Sequence, residues 1–167
     1  MEEEYPERCV VDTNVLVYAT VDAAPLCDES RLWMAALQRQ NAELCVTPQV
    51  CREYLVVLTG DPVFDRDFTS AEALDVLAQL RKSLRLLFSS QEALDELFRL
   101  VRQYEVAGKR IHDANIVAVM GTKEISHLAT YNRQDFAQFD AITLLSLPEE
   151  PIAAGRGTGG ATEKLKL

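Results

Sequence analysis

Short apolar runs alternate with longer segments of helical periodicity along most of the chain. Because the runs are four or five residues long and bounded by polar residues, they predict buried strands at 8–12, 43–47, 84–88, 127–130 and 141–145. The segments between them place apolar residues three or four positions apart, which predicts amphipathic helices. Strands that alternate with helices indicate a mostly parallel sheet covered on both faces, a three-layer α/β/α domain.

Capping signals mark three of the predicted helix starts. Each combines a hydroxyl residue with a proline directly after it or with a glutamate three residues later. These signals are Thr47 with Pro48, Thr69 with Glu72, and Ser89 with Glu92.

The remaining segments are assigned from composition. Residues 112–121 are apolar nearly all round, which predicts a buried helix that ends at Gly121. The stretch after the first strand, through Asp22, Pro25 and Asp28, predicts a loop. The polar stretch 131–135 predicts another loop.

Length and composition favour one domain. The 167 residues, 48% of them apolar and 26% charged, predict a single globular domain over residues 1–150. Residues 151–167 include four glycines and predict a flexible tail or a cloning remnant outside the fold. With no apolar run of membrane-spanning length and an acidic N-terminus, we expect a cytoplasmic protein that does not contact a membrane.

Charge and cysteine usage narrow the function classes. A formal net charge of -9 argues against nucleic-acid binding through a broad basic surface, although carboxylates gathered around a cation are compatible with it. The cysteines form no C-x-x-C pair, so we expect buried apolar residues instead of a metal-thiolate site. They are Cys9, Cys27, Cys45 and Cys51.

Four acidic residues are expected at one edge of the sheet. Asp12 ends the first strand, Asp135 follows the fourth, Asp113 begins the buried helix, and Glu53 lies near the start of the helix after the second strand. The carboxyl ends of parallel strands share one rim, where open α/β sheets place their chemistry. Four carboxylates at one place repel each other unless a cation lies among them, and oxygen ligands suit Mg²⁺ or Mn²⁺.

Each acid taken alone also has a structural interpretation. Asp12 could cap the following turn, Asp113 could complement a helix dipole, and Glu53 and Asp135 could be solvated. An aspartyl-phosphate phosphatase would need a second acid two residues after Asp12, where this chain has Asn14.

The two histidines do not indicate a histidine-based catalytic mechanism. His112 lies beside a helix start and His127 at a strand start, so both are interpreted as structural residues. A ribonuclease that acts through a histidine pair therefore fits this chain poorly.

Four segments resemble the motifs of PIN-domain nucleases, and in particular those of VapC-type toxins of toxin-antitoxin systems. They are residues 10–16, 47–54, 111–118 and 128–136, in the order and at the spacing of the family. The resemblance implies a PIN-like α/β/α fold and an endoribonuclease that depends on Mg²⁺ or Mn²⁺. It also implies a homodimer and a cognate antitoxin protein as partner.

The resemblance also assigns residues by motif. Asp12, Glu53, Asp113 and Asp135 would be the catalytic and metal-binding acids, with Asn132 as an alternative ligand or water-positioning group for the fourth place. Asn14, Thr130 and Arg133 would contact the substrate or hold the carboxylates in place. The alternative is a catalytically weak or inactive PIN-like module that binds RNA or protein.

Overall fold

A parallel five-stranded sheet forms the centre of the protein. The computed structural model describes residues 6–146, so the predicted tail at 151–167 lies outside the described residues. The strand order is β3-β2-β1-β4-β5, and every neighbouring pair is parallel. The strands are β1 (Arg8–Val11), β2 (Glu43–Val46), β3 (Arg85–Leu86), β4 (His127–Ala129) and β5 (Thr143–Leu144).

Helices connect these strands and cover the sheet. They are α1 (Thr13–Thr20), α2 (Cys27–Arg39), α3 (Pro48–Thr59), α4 (Ser70–Leu80), α5 (Gln91–Gln103), α6 (Arg110–Thr122) and α7 (Arg133–Phe136). Helix α1 packs against both α2 and α3, α3 packs against α4, and α5 packs along α6. Helices α5 and α6 carry the chain from β3 back to β4, past β2 and β1. Because crossover connections are right-handed, these two helices lie on the face of the sheet opposite to α1–α4. The predicted α/β/α architecture is confirmed.

The sheet has a short central core. Val10, Val11, Cys45 and Leu128 on β1, β2 and β4 are fully buried, as expected for strands covered on both faces. Three cysteines, among them Cys9, are buried free thiols. Burial raises the pKa of Cys9 to about 12, which keeps the thiol neutral and unreactive. The expectation of buried cysteines is confirmed for Cys9, Cys27 and Cys45, whereas Cys51 is half-buried.

The prediction of a loop directly after β1 is wrong. Helix α1 begins at Thr13, immediately after Asp12, and the true loop is confined to residues 21–26. Residues 13–19 are all buried, so this helix has no polar face and lacks the periodicity by which amphipathic helices are recognised. The lack of any linker between β1 and α1 also fixes Asp12 at the junction of the two elements.

Three smaller boundaries also differ from the predictions. Ser90, and not Ser89, caps α5, with its hydroxyl accepting from the backbone N–H of Ala93 at 3.3 Å. Helix α6 continues through Gly121 to Thr122. The polar stretch after β4 folds into the short helix α7 from Arg133. Within residues 6–146, none of the helices has the length and apolar character needed to cross a membrane.

Candidate active site

The carboxyl ends of β1 and β4 lie side by side at the rim of the sheet. The backbone N–H of Asp12 donates to the carbonyl of Ala129 at 3.0 Å, which extends the β1–β4 ladder to the last position of each strand. Asp12 directly follows β1 and Thr130 directly follows β4, so these two residues face each other. Thr130 donates its hydroxyl to Asp12 Oδ2 at 2.6 Å.

The Asp12 carboxylate has two structural contacts in addition to Thr130. Its Oδ1 accepts from the backbone N–H of Thr13 at 2.7 Å, which makes Asp12 the N-cap of α1. Its Oδ2 also accepts from the Asn14 side-chain amide at 3.0 Å. The capping interpretation of Asp12 is thus correct, and it is compatible with a functional role because Oδ1 accepts a single hydrogen bond and has capacity for a further ligand.

Asn14 ties this carboxylate to the segment after β4. The Asn14 side chain is fully buried, and its Oδ1 accepts from the backbone N–H of Tyr131 at 3.1 Å. Asn132 donates its backbone N–H to the Thr130 hydroxyl at 3.0 Å. Asn14 and Thr130 therefore both connect the Asp12 carboxylate to the backbone that follows β4.

Glu53 reaches the same rim from the second turn of α3. Its Oε2 accepts from the Thr13 hydroxyl at 3.0 Å, and its Oε1 accepts from the Gln49 side-chain amide at 2.7 Å. The Gln49 amide also donates to the His112 carbonyl at 2.9 Å. These bonds connect Glu53 to the starts of both α1 and α6.

Asp113 lies half-buried in the first turn of α6. Its pKa is raised to about 7, with burial as the largest cause. The negative charges of Asp12, Asp135 and Glu53 contribute to the same increase, whereas Arg110 opposes it. The structure therefore brings all four predicted acids close enough to affect the charge of one of them.

The Asp12 carboxyl also has a raised pKa. Burial is the main reason that its pKa is raised to about 6, and the charge of Glu53 adds to the increase. Hydrogen bonds from Thr130, Thr13 and Asn14 oppose it by stabilising the charged form. Two half- or fully buried carboxyls with raised pKa values at one rim are typical of a functional site.

The fourth acid and its neighbours lie in and before α7. Asp135 donates its backbone N–H to the Asn132 carbonyl at 3.1 Å, so the two residues sit within one turn of each other. The Arg133 guanidinium donates to the carbonyls of Leu145 at 2.7 Å and Leu144 at 3.4 Å. Arg133 thus anchors the end of β5 to α7.

The donor chemistry of the rim fits a hard divalent cation. Its acids offer oxygen ligands, and their mutual repulsion is what a bound cation would relieve. In the described part of the chain, no three Asp, Glu, His or Cys side chains are already grouped as a metal site. The carboxylates of Asp12 and Glu53 are instead oriented by hydrogen bonds from Thr13 and other neighbours.

Sequence reasoning missed three residues of this network: Thr13, Gln49 and Asn115. Gln49 lies four positions before Glu53, the spacing at which helix side chains meet, so a signal was present. Asn115 donates its side-chain amide to Gln49 Oε1 at 2.6 Å across two helices. No sequence pattern reveals a contact of that kind.

The PIN domain family model matches residues 9–142. The chain therefore belongs to the PIN domain family. This confirms the resemblance drawn from the four motifs.

Individual relatives are of the VapC type. Ribonuclease VapC24 of Mycobacterium tuberculosis is 25% identical over 130 residues, which cover 77% of this chain and 89% of the relative. VapBC2 from Rickettsia felis, solved bound to a DNA fragment from its promoter, aligns over 83% of this chain and 97% of its own, with a TM-score of 0.65 and 16% identity. VapC20 of Mycobacterium tuberculosis, described as a toxin that cleaves the sarcin-ricin loop, aligns over 78% and 95%, with a TM-score of 0.60 and 16% identity.

Proposed function

We propose that this protein is a metal-dependent endoribonuclease that hydrolyses RNA phosphodiester bonds and acts as the toxin of a toxin-antitoxin pair. The observation that carries the proposal is the hydrogen-bond network that links Asp12, Glu53 and the start of α6, which carries Asp113, at the rim of a PIN domain. The charges of neighbouring acids, which raise the pKa of Asp113, agree with it. The names of the relatives support it, since VapC24 is a ribonuclease and VapC20 a toxin that cleaves the sarcin-ricin loop.

Asp12, Asp113 and Asp135 would hold Mg²⁺ or Mn²⁺, and Glu53 would hold a second ion or orient the attacking water. When bound, such an ion neutralises phosphate charge and lowers the pKa of a water to give the nucleophile for in-line attack. Thr130 and Asn14 keep the Asp12 carboxylate directed at the rim. Thr13 fixes one oxygen of Glu53, so both acids keep their orientation when the substrate arrives.

The biological assignment includes two protein partners. We infer a cognate antitoxin, because solved relatives include VapBC complexes from Rickettsia felis and Haemophilus influenzae. A second copy of the chain is the further partner that the motif resemblance implies. Expression in a bacterium should arrest growth, and co-expression of the neighbouring small gene should relieve the arrest. Growth that is indifferent to expression would oppose the toxin assignment while leaving a nuclease assignment intact.

A second candidate is a catalytically weak or inactive module that binds RNA or protein. The observation in its favour is that, across residues 6–146, no three potential ligand side chains are preassembled as a metal site. This candidate predicts RNA binding without cleavage at any concentration of divalent metal.

Cleavage of single-stranded RNA with and without EDTA separates the two. We expect cleavage that requires Mg²⁺ or Mn²⁺ and is lost in Asp12→Asn. Asp75→Asn is the matched control, because Asp75 is an exposed carboxylate on α4. Metal-dependent cleavage that persists in Asp12→Asn would overturn the site assignment, and no cleavage by metal-loaded wild type would favour the binding module.

A further inference from the structure

Gln49 lies at the centre of a hydrogen-bond network that joins two acid-bearing helices. It is the second residue of α3 and is only 7% exposed. Its Nε2 donates to Glu53 Oε1 at 2.7 Å and to the His112 carbonyl at 2.9 Å, while its Oε1 accepts from Asn115 Nδ2 at 2.6 Å. Both donors and the oxygen of this amide are therefore in use.

The network allows one orientation of the Gln49 amide. A flipped amide would place its oxygen against the Glu53 carboxylate and the His112 carbonyl, both of which only accept hydrogen bonds. It would also turn the Gln49 N–H groups towards the Asn115 amide donor, which is costly because Gln49 is buried. Gln49 is therefore fixed by its surroundings and can fix Glu53 in turn.

The contacts of Gln49 on α6 lie on either side of Asp113. His112 precedes Asp113 by one residue, and Asn115 follows it by two. Glu53 follows Gln49 by four residues, about one turn along α3. A single amide thus joins the acid of α3 to the helix turn that carries the acid of α6.

We propose that Gln49 is a positioning residue for the nuclease reaction. It sets the separation and orientation of Glu53 relative to Asp113 and has no contact with RNA or metal itself. This inference rests on the proposed function. Asn115 takes part in the same positioning network, because its side-chain amide donates to the Gln49 oxygen.

The network can be removed in steps with side chains of similar shape. Gln49→Met removes all three bonds, Asn115→Leu removes one, and the double variant tests whether the residues act as a unit. We expect Gln49→Met to weaken Mn²⁺ binding, measured by electron paramagnetic resonance, by about 10- to 100-fold, as do losses of groups that orient metal ligands. The kcat should fall by a similar factor while KM for RNA stays within about twofold.

The double variant decides between positioning and independent packing effects. If Gln49 and Asn115 act through one network, the double variant should be no worse than Gln49→Met alone. Additive losses would overturn the proposal. Gln38→Met, at an exposed glutamine on α2, is the matched control and should leave Mn²⁺ binding and kcat unchanged.

A measurement on the metal-free wild type separates this inference from the proposed function. Both Gln49 side-chain amide protons should exchange slowly with water in NMR spectra, because each is held in a hydrogen bond and Gln49 itself is only 7% exposed. Asn115→Leu should speed that exchange. Free exchange in the wild type would overturn the positioning role even if RNA is cleaved. Slow exchange without Mn²⁺ binding or cleavage would confine Gln49 to a structural role and count against the nuclease.

Discussion

Thr130 donates its hydroxyl to Asp12 at 2.6 Å, and 118 positions of sequence separate the two residues. The same hydroxyl oxygen accepts from the backbone N–H of Asn132 at 3.0 Å. Thr130 therefore joins the end of β1 to the segment that leads into α7. One small side chain both orients a buried carboxylate and shapes the chain before Asp135.

Thr130→Val should impair stability and activity together. Valine has the shape of threonine but leaves the buried Asp12 Oδ2 and the Asn132 N–H without this partner. We expect the free energy of unfolding to fall by about 1–3 kcal/mol, measured in urea at neutral pH, together with loss of RNA cleavage. Thr130→Ser keeps the hydroxyl and should retain most of both properties. An unchanged free energy of unfolding in Thr130→Val would contradict the bond.

The metal-free protein should lose stability as pH rises through the range in which its buried acids ionise. The pKa of Asp12 is about 6 and that of Asp113 about 7 in the fold, compared with 3.8 for an ordinary aspartate. Because the folded protein holds these protons more tightly, their contribution to stability is present below about pH 4 and is lost by about pH 7. For Asp12 the shift is worth about 3 kcal/mol. Urea unfolding in EDTA measures it.

Asp12→Asn isolates that contribution. Asparagine cannot ionise and remains a good N-cap for α1. The free energy of unfolding of the variant relative to wild type should therefore increase between about pH 4 and pH 7 in EDTA, by up to about 3 kcal/mol. A difference between the two proteins that does not vary with pH would show that Asp12 ionises normally in the fold.

Divalent metal should reverse the destabilisation at neutral pH. An ion that binds only the folded protein stabilises it by about 2.7 kcal/mol at one hundred times its dissociation constant. We expect Mg²⁺ or Mn²⁺ to raise the melting temperature of the wild type and to have little effect on Asp113→Asn. Asp75→Asn serves as control, and an equal rise in wild type and Asp113→Asn would place the ion elsewhere.

Asp135 and Asn132 make different predictions for the fourth position. The charge of Asp135 contributes to the raised pKa of Asp113. Asn132, by contrast, donates its backbone N–H to the Thr130 hydroxyl. Asp135→Asn should therefore lower the pKa of Asp113, followed by NMR of the carboxyl carbon, and reduce RNA cleavage at least about tenfold. If Asn132→Ala has the larger effect on cleavage, Asn132 completes the site instead.

The sheet could be predicted from the sequence, but α1 could not. Each strand carries an apolar run bounded by polar residues, which is a local signal. Helix α1 is buried from Thr13 to Ala19, so its sequence has no polar stripe by which a helix is recognised. Its helical state is set by the Asp12 cap and by packing against α2 and α3, and the packing contacts are tertiary.

The candidate site could likewise be predicted only in part from the sequence. The four acids could be proposed from the sequence, because strand ends and helix starts are local features that a parallel sheet brings to one rim. The groups that orient those acids could not all be predicted, because their contacts cross between helices. Asn115 reaches Gln49 from another helix, and the Thr13 hydroxyl reaches Glu53 across forty residues of sequence. The Gln49–Glu53 contact is different, because these two residues lie four positions apart on α3, where a local pattern can indicate it.

The most direct test of the metal-site claim is a crystal structure with Mn²⁺, with the ion located by its anomalous scattering. We predict a peak bounded by the carboxylates of Asp12 and Asp113, with metal–oxygen distances of about 2.0–2.2 Å and Asp135 or Asn132 completing the coordination. The peak should be absent in Asp12→Asn. A fully occupied Mn²⁺ elsewhere on the protein, with none at this rim, would contradict the account.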